Sequence, residues 1–192
     1  MSRRRDVLLG TVLVFLTACG GEPPEKEMQQ AQGAIDAARA AGASQYAPDE
    51  FKAAVTALEH ARQAADGRDY RQALNDALDS RERAQEAAKQ SAENMAAARV
   101  DADRAIAAAT GVLTTQRKRV TELEAARVPA RAFAEPREQL AAAETRLQEA
   151  RTAFDRQDYP AAKTAAEATS QVLATVGHVL EGLASQAPRR GR

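Results

Sequence analysis

Ala64-Ala65-Asp66-Gly67-Arg68-Asp69-Tyr70 recurs later in the chain as Ala153-Phe154-Asp155-Arg156-Gln157-Asp158-Tyr159. The same register pairs Phe51 with Leu140, Leu58 with Leu147, Ala61 with Ala150, Arg62 with Arg151, Ala73 with Ala162 and Ala77 with Ala166. The lead-in segments match after a one-residue slip, Tyr46-Ala47-Pro48 against Phe133-Ala134-Glu135-Pro136. An internal repeat of this kind signals a duplicated supersecondary unit. Each copy reads as an antiparallel helical hairpin with a short turn, an acid as cap (Asp69, Asp158) and a tyrosine packed under the bend (Tyr70, Tyr159).

Outward from the turns, apolar residues recur at helical spacing. Residues 26–41 form a first helix, which Gly42 stops. Pro48, followed by Asp49 and Glu50, opens a second helix that ends near Asp66-Gly67. From Asp69 to Val128 there is no proline and one glycine, Gly111, so a third helix of about 90 Å is expected over residues 69–128. Its seam runs Tyr70, Leu74, Ala77, Arg81, Ala84, Ala88, Ser91, Met95, Ala98 and Ala102, a heptad pattern. Beyond Ala102 the stripe continues as Ile106, Ala109, Leu113, Val120 and Leu123, with a stutter between the two regions. Gly111, beside Thr110, Thr114 and Thr115, is the point where this helix is weakest. Pro136 opens a fourth helix, and a fifth runs from about Tyr159 to Ala184.

Composition agrees. About a quarter of the residues are Ala, 28% are charged, 4% are aromatic, and Trp is absent. No convincing strand pattern occurs. Ala is the best helix former but adds little apolar area per position. The fold class is therefore all-α, an elongated antiparallel helical bundle of two three-helix units sharing the long central helix. In plan it is similar to spectrin-type repeats, and the rival is a compact bundle broken at Gly111. Residues 26–100 make the first unit and 101–186 the second, with a disordered basic tail at 187–192.

The N-terminal residues carry a different message. Arg3, Arg4 and Arg5 precede an apolar run from Val7, and Leu16-Thr17-Ala18 leads to Cys19, the single cysteine. This resembles a bacterial lipoprotein signal peptide (residues 1–18) with its lipobox, and it implies lipidation of Cys19. As a helix the run would span about 18 Å against a bilayer core of about 30 Å, too short for a permanent crossing. Gly20, Gly21, Pro23 and Pro24 make residues 19–25 a tether. Arg4-Arg5-Asp6-Val7-Leu8 is similar to a twin-arginine export signal, with Arg3 where Ser or Thr would stand, so general and twin-arginine export both stay open. By resemblance to enterobacterial lipoproteins, Gly20 in place of Asp after the cysteine implies the outer membrane over the inner one.

Ala41-Gly42-Ala43, Tyr46-Ala47-Pro48, Glu50, Leu58, Gly67, Asp69-Tyr70 and Ala73 carry a second resemblance. Residues 28–90, and more weakly 113–180, resemble an uncharacterised domain family of Ala-rich bacterial envelope lipoproteins. The resemblance implies an envelope location facing the periplasm and a helical fold, and no activity.

Chemistry is sparse. His60 and His178 lie on different helices without a second His or a Cys at i+3 or i+4, and no phosphate loop, nucleophile elbow or zinc-protease run occurs. We expect no catalytic residue, no metal site, no cofactor and no enzyme activity. The whole chain has formal charge zero, and loss of residues 1–18 leaves it slightly acidic, so nucleic acid is not an expected partner. Arg189, Arg190 and Arg192 are candidates for contact with anionic lipid or cell wall. The expected function is that of a lipid-anchored structural or adaptor module, bound to the membrane through its lipid and to an envelope protein or cell-wall partner. The alternative is a binder of amphipathic ligands, lipid or unfolded protein, through an opened Ala seam. Self-association is a third option, because long Ala-rich helices also form coiled-coil oligomers.

Overall fold

The computed structural model describes residues 22–186. Six α-helices occupy most of that length: α1 (Glu25–Ala40), α2 (Ala43–Tyr46), α3 (Pro48–Asp66), α4 (Tyr70–Ala125), α5 (Ala134–Asp155) and α6 (Tyr159–Gln186). A 3-10 turn, Ala130–Phe133, precedes α5, and there is no strand among the described residues. The all-α reading with one long central helix holds. The 56 residues of α4 correspond to a rod about 84 Å long. It runs through Gly111 without a break, so the compact rival does not form.

Side-chain contacts set the directions. Gln30 meets Arg81 and the Ala41 carbonyl accepts from Ser91, so α1 runs parallel to α4. The Ala54 carbonyl accepts from Ser80, and Glu50 pairs with Arg83, so α3 returns antiparallel. On the second half of α4, Arg137 pairs with Glu124 and Arg151 reaches Thr110, which makes α5 antiparallel. Lys163 pairs with Asp101 and Arg119 with Glu181, which makes α6 parallel. Two three-helix layers therefore follow one another along a single spine. The described chain starts at one end and finishes at the other.

The seam of the first unit is displaced from the expected one. Ala73, Ala77, Ser80, Ala84, Ala87 and Ser91 are fully buried, whereas Leu74, Arg81 and Ala88 lie at the edges. The reason is steric. Both α1 and α3 press on this half of α4, and only small side chains fit on the line between two close neighbours. Burial of Ser80 and Ser91 is tolerable because each hydroxyl donates across the interface, to the Ala54 carbonyl (2.8 Å) and the Ala41 carbonyl (2.7 Å). Ile35 and Leu58 are the only large residues buried in this cluster. The second core is different, with Leu113, Phe133, Leu140, Leu147, Leu173 and Leu180 buried together.

Three boundaries depart from the sequence reading. α1 starts at Glu25, inside the expected tether, with Pro24 buried and its carbonyl accepting from the Met28 amide. α2 is a single extra turn after Gly42, which takes the left-handed φ of 81° that suits glycine. α5 starts at Ala134 rather than Pro136, which sits in the first turn where a missing amide costs nothing.

Gly111 is exposed, and a methyl group there would meet nothing within 4 Å. Thr110 and Thr115 hydroxyls bond the Ile106 and Gly111 carbonyls along the same stretch. Gly111→Ala should therefore raise stability by about 1 kcal/mol, the difference in helix propensity, and raise Tm in thermal unfolding followed by circular dichroism. A lower Tm would mean that the helix bends there in solution.

Candidate functional site

The two repeat turns share one backbone geometry. At the α3–α4 turn the Asp69 amide donates to the Ala64 carbonyl (2.8 Å) and the Arg68 amide to the Ala65 carbonyl (3.0 Å). At the α5–α6 turn the Asp158 amide donates to the Ala153 carbonyl (2.9 Å) and the Gln157 amide to the Phe154 carbonyl (2.9 Å). Both are Schellman-type endings, with the left-handed residue at Arg68 (φ 60°) and Gln157 (φ 65°). Gly67, which the sequence marks as the turn glycine, has an ordinary right-handed φ of −75°, like its counterpart Arg156 at −82°. Replacement of Gly67 by Arg156 in the second copy is therefore no departure in backbone shape. Each acid caps the following helix: Asp69 accepts from the Gln72 amide (3.0 Å) and Asp158 from the Ala161 amide (3.3 Å).

Position along the rod separates the copies. Tyr70 is half-buried at the end where the described chain begins, beside Leu74, Pro23 and Pro24, in an open cleft with Glu22, Glu25 and Glu27 on its rim. Tyr159 is buried near the middle of α4 against Ala102, about 48 Å away along the helix. There it stacks edge-on against Phe154, with centroids 5.1 Å apart.

This waist contains what the sequence reading missed. Tyr46, at the end of α2, is buried and donates its hydroxyl to the Gln157 carbonyl (2.8 Å). Gln45 donates to the Asp158 carboxylate (3.1 Å), and Asn94 of α4 donates to the Tyr46 carbonyl (2.7 Å). The far end of the first unit is thus bolted onto the turn of the second. A signal existed: Tyr46 aligns with Phe133 in the slipped lead-in, and both aromatics are buried, each closing one end of its own unit. The partner across the waist lies more than a hundred residues away, which no local pattern reveals.

Charged groups are arranged along the sides. A hydrogen bond from Lys163 (2.9 Å) and its positive charge hold the Asp101 carboxyl below its ordinary value of 3.8, and Asp101 likewise pushes Lys163 up. Arg117 does the same for Glu144, lowering its carboxyl pKa. His60 and His178 are both exposed, and His178 faces Glu181 at 3.5 Å. Among the described residues no group of three or more His, Cys, Asp or Glu could hold a metal ion. Gly177 leaves room for Gln116 between α6 and α4, since a Cβ there would stand 2.8 Å from the Gln116 Nε2. The Gln116 Oε1 is buried without a partner.

Leu16, Thr17, Ala18 and Cys19 lie outside the described residues, as do Arg189, Arg190 and Arg192. Among the described residues no helix is long and apolar enough to cross a membrane. Comparison with protein-family models, with curated proteins and with solved structures gives no match to this chain.

Burial pushes the Tyr46 phenol above its ordinary value of 10.0. Above about pH 10 the unfolded chain gives up this proton first, so the contribution of Tyr46 to stability is present at neutral pH and lost at alkaline pH. Tyr46→Phe should cost about 1 kcal/mol at pH 7 in urea unfolding and flatten the alkaline loss. Asp101 behaves in the opposite sense: its lowered folded pKa gives a stabilisation that is present at neutral pH and lost as pH falls below about 4. Asp101→Asn should lower Tm slightly at neutral pH and make the fall of Tm from about pH 5 to pH 3 shallower.

Proposed function

We propose that this chain is a lipid-anchored spacer and adaptor of the bacterial cell envelope, working by contact rather than by catalysis. The observation that carries the reading is the rod itself. An uninterrupted helix, Tyr70–Ala125, separates the start of α1 from the end of α6 by the length of two bundles in series. Such a shape holds a surface at a set distance from wherever its first residues are fixed. The run Arg3 to Cys19 supplies the means of fixing, through an acylated cysteine.

The rod is favoured over a binder of amphipathic ligands by the distribution of apolar surface. Among the described residues Leu78, Val100 and Val179 are the exposed large hydrophobics. Leu78 and Val100 are about 33 Å apart on α4, and Val179 is on α6. Ligand grooves need a contiguous apolar patch of several hundred Å². Scattered single residues of this kind are ordinary surface.

The test is chemical. Protein isolated from bacterial membranes after growth with an alkyne fatty acid should carry the label on Cys19 and lack residues 1–18 by intact mass. Cys19→Ala should abolish the label. Residue 1 on the mature protein, or an unlabelled wild type, would remove the anchor from the proposal.

A further inference from the structure

The side of α4 that faces away from both units stays exposed along the whole helix. Ser91 and Ala109, nine residues either side of Val100, are fully buried, so Val100 lies on the outer side. Val100 is 56% exposed, against 38% for Leu78 and 42% for Val179. Glu82 and Lys118 each stand eighteen residues from Val100, about five whole turns, so the three share one line along the helix. Arg99 and Asp103, about one turn apart, occupy one flank of this line. Glu93 and Arg104, about three turns apart, occupy the other. All seven residues are exposed, and Glu82, Glu93, Arg99 and Asp103 form no ion pair among the described residues. The exposed residues between them include Ala96, Ala97, Ala107 and Gly111, which are small enough to admit a second helix closely.

We propose that this face docks on the same face of a second copy, antiparallel, about a two-fold axis at Val100. A two-fold contact requires a patch that complements itself. Rotation about Val100 sets Glu82 of each copy against Lys118 of the other, because both lie equally far from the axis. It also keeps each flank against itself. Arg99 then meets Asp103 of the other copy and Glu93 meets Arg104, with offsets along the helix of about 3 and 4.5 Å, within side-chain reach. Six ion pairs result, four of them using groups that the single chain leaves unpaired. A parallel pair would instead set Glu82 on Glu82 and Lys118 on Lys118. A lone valine makes no ligand groove, but on the axis its own copy covers it. The open cleft beside Val100, lined by Ala96, Arg99, Asp103 and Phe154, leaves space for the facing side chains. The contact from Glu82 to Lys118 is about 54 Å long. In such a pair the two Tyr70 ends, where α1 begins, lie about 90 Å apart at opposite ends. The pair therefore presents one N-terminal segment at each end and can join two facing surfaces. The proposal goes beyond the spacer reading and does not depend on the chemistry of Cys19.

Charge exchange in the full chain tests this. Sedimentation of the reduced protein in mild detergent, over a concentration series, should show a monomer–dimer equilibrium. Glu82→Lys and Lys118→Glu should each weaken the dimer about tenfold, since each turns two attractive contacts into repulsive ones. The two changes together should restore it. Glu149→Lys, on the exposed side of α5, should leave it intact. Crosslinking fixes the axis. In a Cys19→Ser chain, which has no other thiol, Val100→Cys should give a disulfide-linked dimer on oxidation. Leu78→Cys should not, because its two copies would stand about 66 Å apart. Far-ultraviolet circular dichroism confirms that each variant is folded. A monomer at every concentration, a dimer indifferent to either reversal, a double exchange that fails to restore it, or a crosslink at Leu78 as strong as that at Val100 would overturn the proposal. Fatty-acid labelling of Cys19 reports the anchor separately, whichever way these results fall.

Discussion

Close approach of α1 and α3 to the first half of α4 is the constraint on which the rest depends. Three helices can lie this near one another only where the facing residues are small. The fully buried line Ala73, Ala77, Ser80, Ala84, Ala87, Ser91 meets that requirement. Small residues add little burial energy each, so the unit gains direction from hydrogen bonds that cross the interface, from Ser80, Ser91 and Asn94. The second unit meets the same geometric problem with larger residues. Leu140, Leu147, Leu173 and Leu180 fill a wider space between α4, α5 and α6. One helix thus carries two kinds of seam, and the change occurs where full burial on α4 skips from Ser91 to Ala102.

The waist couples these two seams. Without it the units would share only α4, and each could fray independently. Tyr46 and Gln45 from one unit reach the Gln157 carbonyl and Asp158 of the other, and Tyr159 packs beneath. Loosening one hairpin exposes groups of its neighbour. A rod that hinged at its middle would not fix a distance, which is what the proposed spacer role requires. The threonine–carbonyl bonds around Gly111 belong to the same picture, bracing the stretch of α4 with the lowest intrinsic helix propensity.

The chain's ionised groups pair along the sides, as Arg83 with Asp79, Arg119 with Glu181 and Lys163 with Asp101 do. Exposed pairs of this type add little stability. Their value lies in the solvated surface they keep along the sides of the rod.

Much of this was legible in the sequence. The helical class, the hairpin turns and the long third helix follow from spacing, caps and the scarcity of Pro and Gly, which are local properties of the chain. The copied Asp-Tyr turn marked where both hairpins reverse and which acid caps the next helix, whereas the left-handed residue of each ending, Arg68 and Gln157, was not legible. The exact seam was not legible. Leu74 and Arg81 fit the heptad as well as Ala73 and Ser80 do, and only the crowding of two neighbours decides between them. Nor were the different fates of Tyr70 and Tyr159, which occupy matching positions of the repeat. One ends the rod and the other sits at its waist, because burial depends on which distant segment arrives, and Tyr46 arrives at only one of them.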